Sequence, residues 1–384
     1  MIYLFCSAAT ALYKKDALET LCYPSNHIFR FRYDCRYIQP EMCQKPHSYE
    51  GKIGLLVFAD TVGYHGTMDF DFLPIRLITT IRLTPIASAI YVDFRLGDFV
   101  NYGPGQEKRT SWDHFLKVLT NRPWPLPDKS GRPSDQQGYF LLSADSEPQE
   151  LTRGGSIPHE GWQTVVQSLD STKDLAGSTF YLILGFHLVK RQWWTGQYEE
   201  ILLPSTDKGL DSIYSVPMGT SVVLKILLSR PWFDYANRES RRRLKITAGG
   251  EAFSGLSKDT VFSESRYNED RTVLVCRRVF DAALAVVSIH EPDEPGVRTP
   301  RATLLVEVKV PRWIVGAVVS GVVISTLLLA MDAETIRFLS MFLPQSWAST
   351  LGCNSRTVAT IAKGLSPVPV GISAYLAFRR LPIR

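Results

Sequence analysis

The nineteen residues Trp313–Met331, WIVGAVVSGVVISTLLLAM, carry no charge, and they are bracketed by Lys309 and Arg312 before them and Asp332 and Glu334 after them. A run that is apolar on every helical face and about as long as a bilayer core is thick must be solvated by lipid or walled in by other helices. Its ten Leu, Ile and Val residues favour insertion by about 3–6 kcal/mol in total. A transmembrane helix over residues 312–332 is therefore expected. A second span is expected over residues 357–378, a stretch that contains Lys363, Pro367 and Pro369. Lys363 sits near one end of it, within snorkelling reach of an interface. The two spans would form a C-terminal hairpin joined by a connector, residues 333–356, and followed by a basic tail, residues 379–384.

Charge sets the expected orientation. Arg298, Arg301, Lys309 and Arg312 precede the first span, and Arg379, Arg380 and Arg384 follow the second. Positive flanks stay inside, so a multi-pass protein of the inner or plasma membrane is expected, with its N-terminal part and its tail cytoplasmic. The opening residues, MIYLFCSAATALYKK, have their lysines after the apolar run rather than before it. That order suits a first β-strand and not a secretory signal.

With 384 residues, 45% of them hydrophobic and 21% charged, the chain is long and apolar enough for more than one packed core. A net charge of +5 falls short of an evident nucleic-acid binder, and nucleic acid is not an expected partner. The six cysteines, at 6, 22, 35, 43, 276 and 353, make no disulfide framework and read as free thiols.

Ahead of the apolar run the pattern is mainly β. In Phe29–Tyr37, Phe29, Phe31, Tyr33, Cys35 and Tyr37 alternate with Arg30, Arg32, Asp34 and Arg36, the period of two of a strand with one buried face. Ile53–Phe58, Ile75–Leu83 and Ala89–Val100 repeat the theme. From residue 103 the chain turns to loop-rich stretches (GPG, RPWPLP, KSGRPSDQQG), interrupted by expected helices over 111–119 and 159–169. Strands resume at 180–189, 222–228, 243–248, 272–280 and 302–310. The expected fold class is two tandem antiparallel β-sandwich-like domains, residues 1–102 and 177–311, joined by a connecting region, 103–176, and followed by the helical hairpin. The turn at Pro24-Ser25-Asn26 and the one at Pro217-Met218-Gly219, each leading into a strand, give a faint internal echo. Duplication and shared turn chemistry both produce it.

Four groups of residues are candidates for chemistry or binding. Cys22, His27, Cys43 and His47, with Cys35 and His65 nearby, offer thiolate and imidazole ligands for zinc, although no pair has the tight spacing of a structural zinc site. Asp60, His65, Asp69 and Asp71 bring acids and an imidazole together in FADTVGYHGTMDFDF, a pattern that polar hairpins also produce. Arg238, Arg241, Arg242 and Arg243, with Lys245, form a basic cluster suited to anionic lipid headgroups. Gly316, Ala317, Ser320, Gly321 and Ser325 place small residues three and four apart in the first span, where another helix can approach closely. There is no G-x-S-x-G, H-E-x-x-H or P-loop.

The preferred expectation is a non-enzymatic membrane protein without a cofactor. Its β domains would receive a ligand or protein partner and act through the helical hairpin, in one form as an effector that perturbs the bilayer after homo-oligomerisation. The alternatives are a tethered hydrolase or metal-dependent enzyme with its site in residues 22–71, and a passive membrane scaffold.

Overall fold

A computed structural model describes residues 1–7, 11–62, 69–100, 112–117, 141–144, 158–171, 180–191, 195, 197–208, 211–229, 243–249, 253, 256–261, 267–276, 283–290, 301–310, 312–342 and 355–371. The fold is mainly β, in three sheets.

The first sheet is built from β1 (Ile2–Ser7), β2 (Ile28–Asp34), β3 (Ile53–Val62), β4 (Asp69–Ile86), β5 (Ala89–Phe99) and β6 (Leu141–Ser143), in the order β2-β5-β4-β3-β1-β6. Its strands fall where alternation placed them. On β2, Phe31 and Tyr33 are buried while Arg30 and Arg32 are exposed, and the strand gives way to a 3-10 turn over Cys35–Tyr37. The sheet is not the antiparallel sandwich expected of residues 1–102. β1 runs parallel to β3, and a parallel pair needs a crossover between its strands. That crossover includes α1 (Ala11–Cys22), whose Ala17, Leu18, Leu21 and Cys22 are buried. Residues 112–117 form α2, with Trp112 and Leu116 buried. In α3 (Pro158–Asp170) the helical positions Trp162, Val165, Val166 and Leu169 are all buried. α3 packs on β5 and β4, and Trp162 Nε1 donates to the Leu21 carbonyl at 3.2 Å. Helices thus cover the sheet where a second sheet was expected. The Pro/Gly-rich stretches 103–105, 122–127 and 129–138 lie outside the described residues.

Arg76 of β4 is wholly buried beneath this layer. A bulge between Arg76 and Ile78 interrupts the pairing with β5, and such bulges re-aim side chains. All five guanidinium N–H groups are used. Nε and Nη2 donate to the Gly97 carbonyl at 2.9 and 2.7 Å, Nη1 donates to the Thr20 and Tyr23 carbonyls at 2.9 and 2.7 Å, and Nη2 reaches Ser25 Oγ at 3.3 Å. The Phe99 ring lies 4.0 Å from the guanidinium carbon. Burial pulls Arg76 down to about 9, so it stays protonated at neutral pH. Its charge sits at the C-terminal end of α1, where helix carbonyls lack partners and the dipole favours a cation.

The remaining strands make two facing sheets. One is β7 (Phe180–Arg191), β8 (Tyr198–Leu202), β11 (Ser221–Ser229) and β14 (Tyr267–Val275), in the order β14-β11-β7-β8. The other is β9 (Ser205–Lys208), β10 (Asp211–Pro217), β12 (Arg243–Gly249), β13 (Leu256–Val261), β15 (Ala283–His290) and β16 (Ala302–Lys309), in the order β13-β12-β15-β16-β10-β9. Phe186 of β7 and Tyr214 of β10 meet edge to face at 5.1 Å between the two. These sheets are consistent with a sandwich, but the pairing is not wholly antiparallel as expected, because β10 and β16 run parallel. The echoed turns share a residue with positive φ, Asn26 at 74° and Gly219 at 66°. The sheets around them differ in order, so turn chemistry accounts for the likeness.

One tyrosine ties the two facing sheets together, and another joins the halves. Tyr181 OH of β7 donates to the Ile289 carbonyl at 3.0 Å and accepts from Ala302 N at 2.9 Å. Tyr23, just past α1, donates through its OH to the Thr303 carbonyl at 3.2 Å and accepts from Thr303 N at 2.7 Å. The phenol thereby serves both backbone groups of a residue at the start of β16. Tyr23→Phe is expected to lower unfolding stability by about 1–2 kcal/mol, read from the shift in denaturation midpoint. A change below a few tenths would mean that water replaces the hydroxyl without loss.

Candidate membrane interface

The last strand, β16, leads into α4 (Arg312–Ala330), a 19-residue helix. At roughly 28 Å it is just shorter than a bilayer core of about 30 Å. Among the described residues no helix is long and apolar enough to cross a membrane. The second expected span is also shorter than the sequence suggests. α6 (Ser355–Leu365) has 11 residues, or about 16 Å of helix. The chain turns at Ser366, whose N–H closes on the Lys363 carbonyl at 3.3 Å, and resumes helix only over 367–371. Pro367 supplies the physical reason, because it lacks an N–H and disfavours helical backbone in the residue before it. A continuous hairpin span over 357–378 is therefore not supported; residues 372–378 lie outside the described residues.

What α4 does have is exposed apolar surface. Val315, Val319, Val322, Val323, Ile324, Leu327 and Leu329 are all open, Val319 at 54% and Leu327 at 59%. α5 (Ala333–Ser340) and the turn after it add Phe338, Met341 and Phe342, the two rings 5.3 Å apart. α6 contributes Ile361 and Leu365. Exposed apolar side chains in this number are uncommon on a surface that faces water alone. Elsewhere the core of both halves forms one hydrophobic cluster, and the exposed large apolar side chains are Ile53, Ile86, Tyr198, Ile201, Leu202, Val273, Val275, Leu284 and Val286 among the described residues.

The small residues divide between two faces. α6 packs on α4 and on α5. The buried positions of α4 are Gly321 and Ser325, those of α6 are Ala359 and Ala362, and that of α5 is Ile336. Ala317 is half-buried, Ser320 is exposed, and a Cβ added at Gly316 would meet nothing within 4 Å. A helix of the same chain thus lies against part of the ladder. α5 lies in the stretch expected to be a plain connector, and its exposed apolar side chains were not anticipated. The signal was there in Phe338 and Phe342, four apart, beside an N-cap at Asp332, whose Oδ1 accepts from Thr335 N at 2.6 Å. Hydrogen bonding from the Thr335 side chain, and then from its N–H, holds the Asp332 carboxyl below its usual range.

The other candidates do not converge. Cys22 is buried on α1, its thiol donating to the Leu18 carbonyl at 3.4 Å, and burial keeps it protonated. His27 stacks on Tyr23 at 4.0 Å, and burial with Arg76 nearby holds it down to about 4. Cys43 interacts with Cys35, and burial, then that thiol, pushes it up to about 11. His47 is exposed and paired with Glu50 at 2.9 Å. No group of three or more His, Cys, Asp or Glu side chains gathers among the described residues. Asp60 and Asp71 lie opposite each other on β3 and β4, with Asp71 held by Lys117 at 3.1 Å. His65, the Asp69 side chain, Arg238, Arg241, Arg242 and the Arg243 side chain lie outside the described residues. No known protein family and no curated protein matches the chain.

Proposed function

We propose that this is a non-enzymatic membrane-associated protein whose β sheets receive a ligand or partner and whose C-terminal helices seat in lipid and carry the response. The observation that supports this reading is α4, which has apolar side chains exposed on most of its faces. In water such a surface is costly at roughly 25 cal/mol per Å²; in hydrocarbon that penalty disappears. The exposed apolar residues of α5 and α6 extend the same surface, in the manner of helices that lie in an interface. The open side of the small-residue ladder, at Gly316 and Ser320, suits a second copy, which gives the bilayer-perturbing form of the proposal.

Flotation with phosphatidylcholine vesicles tests the seating. The full chain is expected to rise with the vesicles at low and high salt alike, and a chain lacking residues 312–384 to stay behind. Full-length protein remaining at the bottom of the gradient would end the proposal.

A further inference from the structure

The face of the first sheet opposite its core carries an arrangement that the membrane reading does not use. On β2, Arg30 and Arg32 lie opposite Asp93 and Tyr91 of β5. Across β5, those same positions meet Arg82 and Thr84 of β4. A bulge between Thr80 and Arg82 brings Arg82 level with Asp93. The Asp93 carboxylate is fully covered beneath two guanidiniums whose side chains are 43% and 53% exposed. Arg30 donates from Nε to Oδ1 at 2.6 Å and from Nη2 to Oδ2 at 3.0 Å, and Arg82 donates from Nε and Nη2 to Oδ2 at 3.2 and 3.1 Å. Both forks are thus fixed by a buried anion without using Nη1, which keeps its donors for something else. Arg30 also lies 5.8 Å from the centroid of the Tyr91 ring.

Successive rows on this face are about 6.8 Å apart. The next row holds Arg95, which is paired with Asp207 at 2.6 Å. These strands carry further carboxylates: Asp34, two residues beyond Arg32 on β2; Asp98 near the end of β5, which accepts from Ser25 Oγ at 3.2 Å; and Asp69 and Asp71 at the start of β4, Asp71 being held by Lys117 at 3.1 Å. Guanidiniums in rows around an aromatic ring, on an open sheet, fit an extended polyanion better than a small molecule, which needs a concave site. Position argues against lipid headgroups. Tyr23, next to β2, clasps Thr303 at the start of β16, whereas α4 follows its end at Lys309. About 20 Å of strand lies between.

The geometry points to single-stranded nucleic acid as the ligand. The Nη1 groups of Arg30 and Arg82 take phosphate oxygens, Arg32 and Arg95 extend the track, and Tyr91 stacks on a base. This rests on the reading that the β sheets receive a ligand, and it names that ligand's chemistry. The overall charge of +5 is no obstacle, because the track engages only a few phosphates.

Fluorescence anisotropy of a labelled oligouridine or oligothymidine of roughly 16 nucleotides, with full-length protein in lipid nanodiscs, is the test. Binding is expected for both and should weaken steeply between about 50 and 200 mM salt. Arg82→Gln, which leaves the Arg30–Asp93 pair in place, and Arg32→Gln should each weaken binding about three- to tenfold and lower the salt slope by about 1. Tyr91→Leu should weaken it about tenfold. Lys190→Gln, on β7, should leave it unchanged. The proposal is overturned if neither oligonucleotide binds, if Lys190→Gln weakens binding as much as Arg82→Gln, or if polyglutamate or phosphatidylserine vesicles bind more tightly. Because the helices stay in the nanodisc throughout, failure here leaves the flotation result standing, and the converse holds too.

Discussion

Arg76→Met is expected to lower the unfolding free energy by about 3–5 kcal/mol, a large share of the 5–15 kcal/mol typical of a domain. Methionine has similar length and fills the space, so little of the loss would come from a cavity. It comes from the carbonyls of Thr20, Tyr23 and Gly97, which the guanidinium serves in the folded chain. Arg76→Lys should recover part of the loss, since an ammonium keeps the charge at the end of α1 but offers three donors in place of five. Urea titrations followed by tryptophan fluorescence would register both, because Trp162 is bonded to Leu21 in the same layer. A methionine variant within about 1 kcal/mol of the parent would mean that water reaches those carbonyls and the cation is dispensable.

Val323→Asp separates lipid seating from folding. Val323 is 51% exposed, so the substitution should change the unfolding free energy of the rest of the chain by no more than about 0.5 kcal/mol. Against hydrocarbon the same carboxylate costs about 2.5–3.5 kcal/mol, and vesicle-bound protein in the flotation assay should fall roughly 100-fold at equal lipid. If flotation is unaffected while the melting temperature drops, α4 is a structural helix covered by protein.

Much of the β architecture was legible from alternation. Phe31 and Tyr33, or Val92, Phe94 and Leu96, are buried as their spacing implies. Asp93, on the polar side of its strand, is the exception, because two arginines from neighbouring strands close over it. No local pattern announces a contact between residues 30, 82 and 93. α3 could be read because Trp162, Val165, Val166 and Leu169 are large and helically spaced. α1 was harder to read, since its buried stripe of Ala17, Leu18, Leu21 and Cys22 is short and follows directly on the charged residues Lys14, Lys15 and Asp16. Missing that helix hid the crossover, and with it the parallel pairing of β1 and β3. At the C-terminus, the apolar run was plain. The break before Pro367 was readable from proline chemistry and was outweighed by hydropathy.

The position of β16 has a practical consequence for dissection of the chain. Thr303 takes its clasp from Tyr23, 280 residues away in the other half, and Ala302 takes its own from Tyr181. A shortened gene product starting near Phe180 would keep the second bond and lose the first. Its C-terminal helices would then be rooted in a strand that has lost its tie at Thr303, so their behaviour in such a fragment would misrepresent the intact protein.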